Sequence, residues 1–168
     1  YIDTSFGKVR IVDRGKENPI AVLMAPDGPC VVEHFEEVAT RLSEKYRVIV
    51  VDLPGFGFSN PSASYDHSFQ AGAMLIDEIL QNLRISKAII NMTCVNGFYA
   101  LAFAKKFPEK TSGVILGQTP SLHEMRLWSD RVIPLPVKIP FIGQLIVYLT
   151  KKKIGKLWFK IALPRGSD

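Results

Sequence analysis

Cysteine is scarce in this chain of 168 residues, with only Cys30 and Cys94. Two cysteines at this length make no disulfide framework, and such scarcity fits a reducing compartment, so a cytoplasmic location is expected. Histidine is nearly as rare, at His34, His67 and His123. No cluster of metal-ligating side chains and no phosphate-cradling glycine loop is present, so neither a metal nor an organic cofactor is expected. Internal repeats and low-complexity tracts are missing. No stretch reaches the roughly 18 uncharged apolar residues that a membrane-spanning helix needs. The start, Tyr1-Ile2-Asp3-Thr4, has neither the basic stretch nor the apolar run of a secretory signal. It also lacks Met, and we expect a trimmed amino terminus.

What is present is a foldable core. Hydrophobic residues make up 47% of the chain and charged residues 22%, and 168 residues are enough for one globular domain and too few for two ordinary ones. The net charge of +5 is unevenly spread. Residues 1–120 hold 12 Lys and Arg against 13 Asp and Glu, a balance of −1; residues 121–168 hold 9 against 3, a balance of +6. A near-neutral body with one basic segment points to a local surface, and nucleic-acid binding is not expected.

The apolar pattern alternates between short runs and helical spacing. Val9 to Val12 reads as a half-exposed strand, and Ile20 to Ala25 as a buried one broken by Pro26-Asp27-Gly28-Pro29. Val31, Phe35, Val38, Ala39 and Leu42 predict a helix; Tyr46 to Leu53 predicts a second buried strand ended by Pro54-Gly55. A helix follows from about Ser68 to Leu83, then a strand at 88–92, a helix from Gly97 to Phe107 and a strand at 112–116. That order implies an α/β fold, a mostly parallel sheet with helices on both faces. After Thr119-Pro120 the texture changes to a proline-punctuated, apolar and basic stretch with two helical stripes, Ile142 to Leu149 and Ile154 to Ile161. We therefore divide the chain into residues 1–119 and a helical segment, 120–168.

Three motifs carry a family resemblance. Asp52-Leu53-Pro54-Gly55-Phe56-Gly57-Phe58-Ser59 resembles the strand-end turn of α/β-hydrolases, an aspartate followed by Pro-Gly-aromatic-Gly and Ser. Met92-Thr93-Cys94-Val95-Asn96-Gly97, followed by Ala100-Leu101-Ala102 and Pro108, is similar to the Gly-x-Ser-x-Gly elbow and its helix. Cys94 then stands at the nucleophile position, with Met92 and Asn96 where the family keeps small residues. Pro26-Asp27-Gly28 stands where the family has His-Gly-x. Together these span roughly residues 5–165 and place the chain with the amino-terminal part of that superfamily, residues 120–168 forming the start of a helical cap.

The resemblance implies hydrolysis of an ester, thioester or lactone of a fairly apolar small molecule. Cys94 would be the nucleophile, with backbone N–H groups of Val95 and Gly28 as oxyanion donors. Trp128, Phe141 and Leu145, with Trp158 and Phe159, would line an apolar pocket as a lid. In the family a carboxylate and a histidine follow the cap, and here they would lie beyond residue 168. Of the histidines present, His123 alone follows the fourth strand of the sheet. The alternative is a catalytically impaired homologue that binds a small apolar ligand or a protein. A rival reading of the lid is an interfacial helix, since Lys151, Lys152, Lys153, Lys156 and Lys160 beside an apolar stripe suit an anionic membrane surface. Because the sheet would end at an unpaired strand near 112–117, we expect a longer native polypeptide, a completing second chain, or a homo-oligomer.

Overall fold

The computed structural model describes residues 1–28 and 30–162, with side chains as far as Leu157. The chain divides into two compact units, Tyr1–Thr119 and Pro120–Asp168. In chain order the first unit contains β1 (Ile2–Thr4), β2 (Gly7–Val9), β3 (Ile11–Arg14), β4 (Ala21–Ala25), α1 (Glu36–Leu42), β5 (Arg47–Val51), β6 (Asn60–Pro61), α2 (Phe69–Asn82), β7 (Ala88–Thr93), α3 (Gly97–Lys106) and β8 (Thr111–Gly117). Short 3-10 turns at Val32–Phe35, Cys94–Asn96 and Pro108–Lys110 lead into α1, α3 and β8.

The main sheet has the order β3-β5-β4-β7-β8. β5, β4, β7 and β8 are parallel neighbours, and β3 runs antiparallel along β5. Side-chain alternation sorts the core onto two faces. Val22, Met24, Val48 and Val50 face α1, with Val32 and Ala39. Leu23, Ile49, Val51, Ile90 and Met92 face α2 and α3. Leu23 stands opposite both Ile49 and Ile90 in the ladder, and all three are fully buried.

Local chemistry sets the helix bounds. Ser68 caps α2, its hydroxyl taking the Ala71 N–H at 3.1 Å, and Arg84, at φ 54°, turns the chain just past the helix end. Leu75, Ile76, Ile79 and Leu80 are completely buried on the inner face of α2. Four such side chains contribute roughly 6–12 kcal/mol gross, before chain entropy is set against them. Buried Asp77 on the same helix pairs with Lys110 and takes a hydrogen bond from Gln81 Nε2 at 2.6 Å. That ties α2 to the turn before β8.

Two elements differ from the sequence expectation. Val9 to Val12 is not one strand but the junction of β2 and β3. Arg10 is the switch point: its N–H donates to Ser59 Oγ at 2.8 Å and its carbonyl takes the Asp52 N–H at 3.1 Å. The helix expected from Val31 opens as a 3-10 turn, since His34 N–H bonds the Val31 carbonyl at 3.0 Å while Val31 N–H bonds His34 Nδ1 at 3.0 Å.

The second unit holds α4 (Leu122–Val132), α5 (Leu135–Lys138) and α6 (Ile142–Ala162). Ser121 caps α4 by accepting the Glu124 N–H at 3.1 Å, and Pro134 follows its end. The two helical stripes expected on either side of Lys151-Lys152-Lys153 belong to one continuous helix, α6, since no proline interrupts it. Among the described residues no helix is long and apolar enough to cross a membrane.

Candidate active site

Because β4, β5, β7 and β8 are parallel, the loops after their carboxyl ends emerge on one side of the sheet. β7 delivers Cys94. Its residues Ala88, Ile90 and Met92 are buried against α2 and α3, so Met92 occupies its position at full burial. Thr93 is still extended, at φ −115° and ψ 157°. Cys94 then turns to φ 52°, and Val95 and Asn96 lead into α3. A residue with a Cβ is disfavoured in that left-handed region by roughly 1–2 kcal/mol. The turn also needs a glycine at its far side: a Cβ on Gly97 would lie 2.0 Å from Thr119 Oγ1. Asn96 is ordinary in backbone, at φ −66°, and not left-handed. Its buried side chain instead donates from Nδ2 to the Pro26 carbonyl at 3.1 Å.

The loops after β4 and β5 are fastened by Asp52. Its carboxylate is wholly buried, takes the Val32 N–H at 3.0 Å and the Phe58 N–H at 3.2 Å, and lies 3.6 Å from Arg10 Nη1. Its carbonyl takes the Ser59 hydroxyl at 2.6 Å. Arg10 also pairs with Glu33 and holds that carboxyl below the usual carboxylate range. Gly57, at φ 52°, lies against the Asp52 carboxylate. Gly28 sits beside the Phe56 ring, since a Cβ there would lie 3.0 Å from it. The peptide from Asp27 closes a turn, its carbonyl taking the Cys30 N–H at 2.7 Å. Sequence patterning named the Asp52 motif but not its grip on Val32, and it missed the Asn96 link to Pro26. A carboxylate ending an apolar strand was the available signal for the first.

Both cysteines are free and partly exposed. Burial, and then Asp27, push the Cys30 thiol up from its usual range. His34 is engaged with Val31, as described. His67, at φ 58°, precedes α2 with its ring against Tyr65 at 4.6 Å between centroids, and its carbonyl takes the Tyr99 hydroxyl at 3.2 Å. In the second unit His123 lies in the first turn of α4 and is exposed. Trp128 lies on α4, Phe141 just before α6 and Leu145 in its first turn, all three exposed; Trp158 and Phe159 fall outside the described side chains. No group of three metal-ligating side chains occurs among the described residues.

The residues that build this turn and the loops beside it fall within the match of one family model. The model of the alpha/beta hydrolase fold matches residues 22–140, and the chain belongs to that family. It is 34% identical over 82 residues to the uncharacterized hydrolase YugF of Bacillus subtilis, covering 49% of this chain and 30% of that protein. It is 24% identical over 119 residues to haloalkane dehalogenase 2 of Mycobacterium bovis, covering 71% of this chain and 41% of that one. The structure of naproxen esterase from Bacillus subtilis shares its fold, with a TM-score of 0.65 at 19% identity over 88% of this chain and 52% of that one. The chain thus spans less than half the length of these two curated relatives.

Proposed function

We propose that this chain carries the nucleophile of a hydrolase site, Cys94, acting on an ester, thioester or lactone of a fairly apolar small molecule. The observation that carries the reading is the φ of 52° at Cys94, between a buried strand and the ten-residue helix α3. Strain of this kind in a residue with a side chain collects at functional turns. It turns the chain sharply at the carboxyl end of β7, and Cys94 at that turn is partly exposed. In the reaction the sulfur bonds to the carbonyl carbon and the carbonyl electron pair moves to oxygen. The N–H groups of Val95 and Gly28 hold that oxyanion. Its collapse breaks the bond to the leaving alkoxide or thiolate, which takes up the proton the Cys94 thiol gave up; water then hydrolyses the acyl thioester to the acid and the free thiol. A substrate-lining role for Trp128, Phe141 and Leu145 belongs to the same proposal and rests on the resemblance alone. The relatives' names, an esterase and a dehalogenase among them, support hydrolysis in general.

One observation favours a second reading, a relative that binds without turning over. Pro26-Asp27-Gly28 stands where the family keeps His-Gly-x, and a carboxylate at Asp27 would oppose a developing oxyanion nearby. Two measurements separate the readings. Cys94 should react with iodoacetamide at neutral pH much faster than Cys30, and short acyl nitrophenyl esters should be hydrolysed by wild type but not by Cys94→Ala. Equal slow labelling of both thiols, with identical hydrolysis rates, would leave only the binding protein.

A further inference from the structure

Asn96 is a buried polar side chain at a place where its usual work is not done. It stands at the amino-terminal cap of α3, a position where asparagine ordinarily accepts a backbone N–H of its own helix. Here the side chain makes no capping hydrogen bond. It is only 3% exposed, and its one hydrogen bond among the described residues runs to the Pro26 carbonyl, 70 residues earlier in the chain. Pro26 begins the loop after β4, and Gly28 follows two residues later. The other end of the same loop is fixed as well, since Val32 N–H is held by the buried Asp52 carboxylate. Val95 is the residue immediately before Asn96.

The two backbone donors of the proposed oxyanion site therefore lie on separate segments, and the Asn96 amide joins those segments. We infer that Asn96 is a positioning residue that locks the loop carrying the Gly28 N–H to the turn carrying Cys94 and Val95. Its chemistry suits the task. Pro26 has no N–H, so its carbonyl is the one backbone hydrogen-bonding group it offers, and the amide donor meets it at 3.1 Å. A small residue at this position, as the family pattern has it, could not make that bond. The inference rests on the reading of Cys94 as nucleophile, because only a developing oxyanion makes the relative placement of the two donors matter.

The test compares Asn96→Asp, which keeps the shape but puts an acceptor where the donor was, and Asn96→Gly, which removes the side chain should the aspartate variant fail to fold. Two readouts are taken on the full-length protein. Amide exchange of Cys30, whose N–H donates to the Asp27 carbonyl within this loop, should quicken about tenfold, the equivalent of one ordinary hydrogen bond. Amides of β4 and β7 should keep their protection. Hydrolysis of acetyl and butyryl nitrophenyl esters should lose roughly 10- to 100-fold in kcat, short of the full loss of an oxyanion donor, with KM within about twofold. Unchanged Cys30 exchange, or a loss confined to KM, in a wild type that shows Cys94-dependent hydrolysis overturns the positioning role alone. A wild type with no Cys94-dependent hydrolysis overturns the nucleophile reading, and the positioning role with it, whatever the exchange rates do.

Discussion

Replacing Gly57 by alanine would measure how firmly the turn after β5 is fixed. An added Cβ would lie 2.2 Å from Asp52 Oδ2, 2.4 Å from Cγ and 2.8 Å from Oδ1. The backbone there has φ 52°, which strains any residue with a Cβ by roughly 1–2 kcal/mol. The clash is not relieved by a simple rotation, because the carboxylate is held by the N–H groups of Val32 and Phe58. Overpacking of this sort costs about 1–3 kcal/mol. Alanine's narrower unfolded ensemble offsets about 0.5–1 kcal/mol. The net expectation is a destabilisation of about 1–4.5 kcal/mol, read from urea unfolding as a lower midpoint at unchanged slope. Gly113→Ala is the control: nothing lies within 4 Å of a Cβ there, and the change should stabilise by about 0.5–1 kcal/mol. If Gly57→Ala proves no more harmful than Gly113→Ala, Asp52 does not hold this turn as described.

Three further outcomes follow from the same structure. At a relaxed position glycine is less stable than alanine by about 0.5–1 kcal/mol, but at Cys94 the order should vanish or reverse, with Cys94→Gly unfolding at a urea concentration equal to or higher than Cys94→Ala. Asp77→Ala removes the partner of Lys110 and Gln81 from a buried site, and should cost about 2–4 kcal/mol in the same assay, since Lys110 can still reach water in part. The Cys30 thiol is harder to ionise folded than unfolded, its value being raised by burial and then by Asp27. Its contribution is therefore intact below the unfolded thiol's value of about 8.5 and is lost as the pH rises from there toward the folded value. Cys30→Ala should flatten that alkaline decline, and an unchanged stability profile from pH 7 to 10 would refute the assignment.

The secondary structure of the first unit was legible because its signals are local. α2 runs Phe69–Asn82 against an expectation of about Ser68 to Leu83, its start marked by a capping serine and its inner face by apolar spacing. β4 and β5 were legible as short apolar runs closed by Pro or Pro-Gly, and β7 as a short apolar run alone. Their order in the sheet was not, because strands apolar on both faces carry no sign of which neighbour lies beside them. At the candidate site, the apolar run at 88–92 put Cys94 just past a strand, and the resemblance to the family's elbow, aligned on Gly97 and Ala100, put it at the nucleophile position. The links that fix its surroundings were hidden, since Asn96 to Pro26 and Asp52 to Val32 join residues 70 and 20 positions apart. Met92 shows the same limit. A bulky residue is accepted where the family keeps a small one, in a cluster whose helices contribute Ala71, Ala73 and Ala100, and no pattern within β7 announces that accommodation.

The sheet order also has a consequence for how the chain is made. β4 is its middle strand, flanked by β5 and β7. β5 follows it closely, so β4, α1 and β5 can assemble as soon as they leave the ribosome. β7 comes later: from Ala25 to Ala88 is 88 − 25 = 63 residues. At a synthesis rate of about 5–20 residues per second, the second edge of β4 waits about 3–13 s for its partner. During that interval Val22, Leu23 and Met24 border an open ladder that an identical strand from a neighbouring nascent chain could occupy. Yield of folded protein should therefore fall as expression rate rises, and recover when initiation is made rarer at unchanged elongation rate, which keeps nascent chains apart, or when a chaperone that shields exposed strands is supplied.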